Sequence, residues 1–228
     1  MEIQPIGHIH TPFKEKFGIP RQGVKAEHSY GEIIFEKKYR QLEAFKGIED
    51  FTYLWLIWGF SQVKESEIFK ATVRPPRLGG NQRVGVFASR SPFRPNRLAL
   101  TAVKLLGLET DSPEGPKLIV LGIDMVDGTP IYDIKPYSSE SDALNDGQSG
   151  FIDQVAFNTL QVHWPEYLAD QVSQAEREGI TEVLAADPRP AYQRQEDREY
   201  GMLYGAYNIR FEVKDQTCYL LSLEPISD

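Results

Sequence analysis

Apolar and polar residues alternate through much of the first part of the chain. The stretch Ile3-Gln4-Pro5-Ile6-Gly7-His8-Ile9-His10 has strand periodicity until Thr11-Pro12 ends it, and Glu32-Ile33-Ile34-Phe35 predicts a second strand. Leu42 and Phe45, three apart beside polar neighbours, predict a short helix over 39–45. The aromatic and β-branched run 51–60 predicts a buried strand, and residues 84–88, 99–107, 117–123 and 131–134 continue the series. Little room remains for crossover helices. The pattern therefore fits an antiparallel barrel or sandwich better than a doubly wound sheet.

The periodicity changes after the polar stretch 138–150, which carries Glu140, Asp142 and Asp146 without a base and predicts a linker. Residues 156–164 predict a strand, 165–178 a helix opened by Pro165, and 181–186 a second short helix. Residues 208–213 and 218–223 predict a closing hairpin. The expected organisation is a first domain over 1–140, a linker over 141–150 and a small α+β domain over 151–228.

Composition narrows the classes. The apolar and charged fractions are those of a globular protein. The longest apolar stretch, 54–60, falls far short of the roughly 20 residues of a membrane span, and no signal-like run is present, so a cytoplasmic protein without membrane contact is expected. Cys218 is the sole cysteine, which excludes an internal disulfide and a cysteine-built zinc site. His8, His10, His28 and His163 are scattered, and no metal is expected. The net charge of −8 argues against nonspecific nucleic-acid binding. It leaves room for a local basic site: Arg74, Arg77, Arg83, Arg90, Arg94 and Arg97 follow one another with no intervening Asp or Glu. Interleaved with Pro, Gly and Phe, they point to a confined anion site rather than a solvated face.

Four segments carry more Arg, Pro, Gly and Asp than a fold alone requires. They are 14–22, the pair 73–81 and 89–96 joined through a strand, 127–137, and 187–192. Prolines fix φ and glycines permit close backbone approach, so arginines between them lose little freedom on binding a phosphate or carboxylate. In 127–137, Asp133, backbone carbonyls and the Tyr137 ring suit an amine on a flat base.

Pro20-Arg21-Gln22 and the runs 73–80, 84–96, 127–137 and 187–192, in this order, resemble the signature of the TsaA-like (YaeB-like) family. Those proteins are S-adenosylmethionine-dependent tRNA methyltransferases acting on N6 of threonylcarbamoyl-adenosine just 3′ of the anticodon. The resemblance implies an N-terminal antiparallel β-barrel that binds the cofactor without a Gly-rich Rossmann loop, a small α+β C-terminal domain assisting substrate binding, and a homodimer engaging the tRNA anticodon loop. It implies Arg21, Gln22, Ser61, Gln62, Arg90, Leu100, Gly122, Ile123, Asp124 and Met125 around S-adenosylmethionine. It implies Arg94, Asn96, Lys135, Arg189 and Tyr192 on the substrate side. Asp127, Asp133 and Tyr137 are the catalytic candidates, as acceptors and a stacking ring at N6. The chain departs from the family pattern at Tyr53, Ser61 and Asn96-Arg97-Leu98-Ala99. Two other readings stay open on the residues alone: a small-molecule methyltransferase, or a nonenzymatic sensor of S-adenosylmethionine.

Overall fold

Alternation in the first strands closes into a barrel. A computed structural model describes residues 2–20, 23, 26–63, 68–75, 82–152, 159–189 and 198–226. Six antiparallel strands are joined in the order β1 (Gly7–His10), β2 (Tyr30–Phe35), β7 (Lys117–Leu121), β6 (Leu98–Glu109), β3 (Tyr53–Gly59) and β8 (Thr129–Pro136), which returns to β1. Every second side chain points inward: Ile9, Ile33, Leu54, Leu56, Val103, Leu118, Val120 and Ile131 are all buried. β3 corrects one expectation. Leu54, Leu56 and Trp58 face the core, but Tyr53 is exposed and Trp55 and Ile57 only half-buried, so this apolar strand is buried on one face.

The predicted strand over 84–88 is cut short. β4 (Thr72–Val73) pairs with β5 (Val84–Gly85) in a two-stranded ribbon, after which Val86–Ala88 turns into a 3-10 helix. The physical reason is that the Val86 carbonyl accepts from Ser89 Oγ at 2.8 Å, leaving the ladder for a turn. The predicted helix over 39–45 is likewise a pair of 3-10 turns, Lys37–Tyr39 and Leu42–Phe45. Within the expected linker a single turn of helix, α1 (Ser139–Asp142), forms, and Asp142 accepts from the Trp55 indole N–H at 2.9 Å.

The C-terminal part is a four-stranded sheet in the order β10 (Tyr200–Tyr204), β11 (Tyr207–Lys214), β12 (Thr217–Pro225) and β9 (Gln161–His163), with β9 parallel to β12. The hairpin β11–β12 agrees with expectation, whereas β10 was not foreseen. The helices divide differently from their prediction: α2 (Glu166–Ala169) is short, and α3 (Gln174–Ala185) runs unbroken through the position expected to separate two helices. A reciprocal cap sets this boundary: Ser173 Oγ accepts from the Glu176 N–H, and the Glu176 carboxylate accepts from the Ser173 N–H at 2.9 Å.

The segment after β1 clamps the two parts together. Pro12 O accepts from the Gly205 N–H at 2.8 Å, Glu15 accepts from the Leu203 N–H at 3.1 Å, and Phe13 meets Tyr204 edge to face at 5.7 Å. At its far end Glu182 of α3 accepts from the His28 N–H at 2.9 Å, and burial raises the pKa of this carboxyl against that hydrogen bond. One continuous apolar core results, running from Ile9 and Leu54 in the barrel to Ile180, Leu184 and Phe211. Among the described residues no helix is long and apolar enough to cross a membrane, and no group of three or more His, Cys, Asp or Glu is placed to hold a metal.

Candidate functional site

Two cavities lie on either side of the 89–96 loop and share Pro92 and Phe93 as a common wall. The smaller, about 640 Å³, is lined by Trp58, Phe60, Ser61, Gln62, Asp124 and Val126, among others. β3 delivers Trp58 to its rim and the turn after it delivers Ser61 and Gln62. Asp124 comes from the segment that follows β7. That segment starts at Gly122, whose φ of +84° suits glycine, and Gly122 lies so close to Gly23 that a methyl group on Gly23 would overlap the Gly122 carbonyl oxygen. The loop around Gly23 and the segment 122–126 are thereby locked side by side.

A hydrogen-bonded chain aims the acid. The Trp58 indole N–H donates to Thr101 Oγ1 at 3.0 Å, and the Thr101 hydroxyl donates to Asp124 Oδ1 at 2.8 Å. The Gly23 N–H donates to Asp124 Oδ2 at 3.3 Å. Burial raises the Asp124 pKa above its ordinary 3.8, opposed by these hydrogen bonds and by the charge of Arg90. A cation brought to this desolvated carboxyl would favour its charged form.

The larger cavity, about 990 Å³, has a different character. Lys70, Arg74, Arg83 and Arg90 line it together with Phe93 and Phe151. The wall between the two cavities is braced from within: Arg94 donates to Ser89 O at 2.7 Å, the Ser91 N–H donates to Ser89 Oγ at 3.3 Å, and the Phe93 N–H donates to Ser91 Oγ at 3.3 Å. Arg97 ends the loop in the left-handed region with φ of 50°, and its guanidinium donates to Val63 O at 3.1 Å.

Residues 8–143 match the tRNA-methyltransferase O N-terminal domain, and residues 158–226 match the TrmO C-terminal domain. The chain belongs to the TrmO family. Its sequence is 37% identical to a tRNA (adenine(37)-N6)-methyltransferase of Escherichia coli (strain K12), covering 98% of each chain. It is 40% identical to a Pseudomonas aeruginosa protein, RcsF, named provisionally as an S-adenosylmethionine-dependent methyltransferase, over 88% of this chain and 87% of the other. A crystal structure of TrmO from P. aeruginosa superposes with a TM-score of 0.79 at 30% identity, covering 99% of this chain and 97% of that one. The family resemblance carried by the motifs and the barrel-plus-α+β fold class are both borne out.

The TrmO fold gathers some of the expected residues and disperses others. Ser61, Gln62 and Asp124 meet at the smaller cavity, with Arg90 acting on Asp124 electrostatically from the larger one. Arg21, Gln22 and Tyr192 lie outside the described residues. Ile123 and Met125 are fully buried in the core, and Gly122 contributes backbone only. Leu100 is on the outer barrel face, opposite Ile57 and 53% exposed, away from both cavities. Asp133 and Lys135 share that outer face through their pairing with Ile57 and Trp55, and Tyr137 packs against Tyr53 and Trp55. The three catalytic candidates are therefore not brought together within one chain. Arg94 turns inward to brace its own loop, while Asn96 is exposed beside it. Arg189 is buried, its guanidinium held by both carboxylate oxygens of Asp187 at 2.8 and 3.1 Å, so it braces a turn rather than facing a substrate.

Sequence reasoning missed Trp58, Thr101 and Gly23. The discoverable signal was Thr101, a polar residue in the inward phase of an otherwise apolar strand.

Asp127 accepts from the Thr11 N–H at 2.9 Å and from Lys14 Nζ at 2.8 Å, with His10 Nδ1 at 3.3 Å. Burial acts to raise its pKa, but the Lys14 and Thr11 hydrogen bonds and the charges of Lys14 and His10 outweigh it, and the net shift is downward from 3.8. A carboxylate with a depressed folded-state pKa contributes stability that is present above its unfolded pKa and lost as pH falls through the folded value. Asp127→Asn is thus expected to be less stable than the parent at pH 7, with the gap closing in acid. Urea unfolding at a series of pH values checks this, and a gap that stays constant down to acid pH contradicts it.

Proposed function

We propose that this chain transfers the methyl group of S-adenosylmethionine to N6 of adenosine 37 in tRNA, and that the acceptor is the threonylcarbamoyl form of that base. The observation that carries the reading is the end-to-end match to a tRNA (adenine(37)-N6)-methyltransferase. The name of RcsF supports the cofactor.

The smaller cavity suits that cofactor, since its volume falls in the range of about 300–1,000 Å³ of small-molecule sites. Trp58 and Phe60 offer aromatic surface to an adenine ring, and Asp124 offers charge to a cation. When bound, the cofactor supplies an electrophilic methyl carbon. The chain's own share is to hold the acceptor in line and to exclude water. The N6 lone pair is delocalised into the purine, so an acceptor for the N6–H raises its electron density as the new bond forms.

Asp133 with Tyr137 fills that role from a second copy of the chain. Tyr53, Leu100 and Leu106 are exposed on the outer barrel face around Lys104, and a homodimer closing over that face brings Leu100, Asp133, Lys135 and Tyr137 to the partner's cavity. Asp127 is a positioning residue for the segment it ties down. The barrel is the cofactor domain and the C-terminal part assists substrate binding, in a cytoplasmic enzyme.

Nucleoside mass spectrometry tests the reading on tRNA incubated with protein and S-adenosylmethionine, with and without prior threonylcarbamoylation. Methyl gain only on the threonylcarbamoylated tRNA is expected. Cofactor binding with no methyl transfer to either tRNA overturns it in favour of a sensor. Asp124→Ala is expected to weaken cofactor binding by about tenfold or more, the scale of a charge-assisted hydrogen bond, as read by calorimetry.

A further inference from the structure

Phe69 and Phe87 belong to neither the core nor the cofactor cavity. The β4–β5 ribbon is extended by a hydrogen bond from the Val86 N–H to Ala71 O at 2.9 Å, which brings residues 69–71 alongside 86–88. The two phenylalanine rings stack there, centroids 6.2 Å apart and planes 28° from parallel. They remain 55% and 71% exposed. Lys70, Arg74 and Arg83 of the same ribbon line the larger cavity with Arg90. From Lys70 to Arg97 the sequence has no acidic residue, although the whole chain carries −8.

Each half of this arrangement is incomplete without a ligand. Two bare aromatic rings side by side cost hydrophobic free energy, and a row of cations in an otherwise acidic protein seeks an anion. A single strand of nucleic acid satisfies both, with a base on the rings and its phosphates on the cations. An apolar protein face satisfies only the first.

We infer that Phe69 and Phe87 form a stacking platform for an unpaired nucleotide base of the RNA, flanking the base that is methylated. The inference rests on the proposed tRNA reading and assigns that substrate a second anchoring point, across the loop wall from the cofactor cavity.

Two anticodon stem-loop RNAs, carrying 2-aminopurine on the 5′ or the 3′ side of adenosine 37, provide the probe. Binding to the parent protein is expected to quench the fluorescence of at least one of them. Phe87→Ala and Phe69→Ala are expected to lose the quench and to weaken binding by about 5- to 150-fold, the range for one stacked base. Phe87→Trp is expected to keep both. Cofactor affinity by calorimetry should stay within about twofold of the parent in all three. Parental RNA affinity in both alanine variants overturns the inference. So does a parallel loss of cofactor affinity, which assigns the rings to the cofactor's adenine, or a change in copy number by light scattering, which assigns them to a protein interface. A parent that quenches the probe but methylates no tRNA removes the proposed reaction and leaves the platform. A parent that methylates tRNA with both alanine variants unaffected removes only the platform.

Discussion

Replacing Gly23 with alanine is expected to abolish most cofactor binding while leaving the barrel folded. The added methyl overlaps the Gly122 carbonyl oxygen and also sits 3.1 Å from Thr101 Cγ2. The obstacle is backbone, so no side-chain rotation relieves it. The two segments must part, and with them go the Gly23 N–H donated to Asp124 and the orientation of Asp124 against Ser61 and Gln62. Displacements on the order of 1 Å cost roughly a hundredfold in sites that depend on alignment, and that is the loss expected in methyl transfer. Gly107→Ala is the matched control, because a methyl there meets nothing within 4 Å. Calorimetry and single-turnover methyl transfer on both variants decide the matter, and equal behaviour of the two contradicts the proposed locking of these segments.

Gly179→Ala is expected to carry the largest stability loss on the C-terminal side. α3 approaches β10 so closely here that a methyl overlaps the Tyr204 hydroxyl and lies 3.2 Å from His28 O. Tyr204 is buried, packed edge to face on Phe13, and cannot swing away. Overpacking of this kind costs about 1–3 kcal/mol. For a chain of this size that is a fall of roughly 2–12 °C in Tm. Tyr204→Phe removes the overlapping oxygen, so the double variant Gly179→Ala, Tyr204→Phe is expected to recover part of the loss. A double variant as unstable as the sum of its parts would show that the helix has shifted instead. Thermal unfolding of the four proteins gives the answer.

Much of the barrel was legible because its strands alternate, one face apolar and the other wet, and period two is a strong signal. It failed where side chains replaced the ladder. Val84 begins as a strand, but the Ser89 hydroxyl and the Arg94 guanidinium both reach the Val86 carbonyl and turn the chain. β10 was hidden by Gly201, an outward residue of poor strand propensity between the inward Tyr200 and Met202, which leaves space for the Arg210 side chain. In the site, the motifs marked residues whose types were informative without giving their direction. Arg94 and Arg189 read as ligand arginines because each sits between prolines. In the fold both guanidiniums turn back on their own loops, a fact set by distances of a few ångströms that no spacing encodes. Thr101 and Gly23 left the opposite trace, carrying no motif yet holding Asp124 in place.

Pro92 and Phe93 face both cavities, so the wall they form has no private side. If a ligand on one side shifts this short segment to a position that favours the ligand on the other, thermodynamic linkage requires the second to favour the first by the same factor. The coupling can be read from equilibrium titrations alone, cofactor affinity with and without stem-loop RNA and the reverse. A substitution at Phe93 is expected to change both affinities and the factor that joins them, while one at Arg83 or Gln62, each lining a single cavity, changes one affinity first.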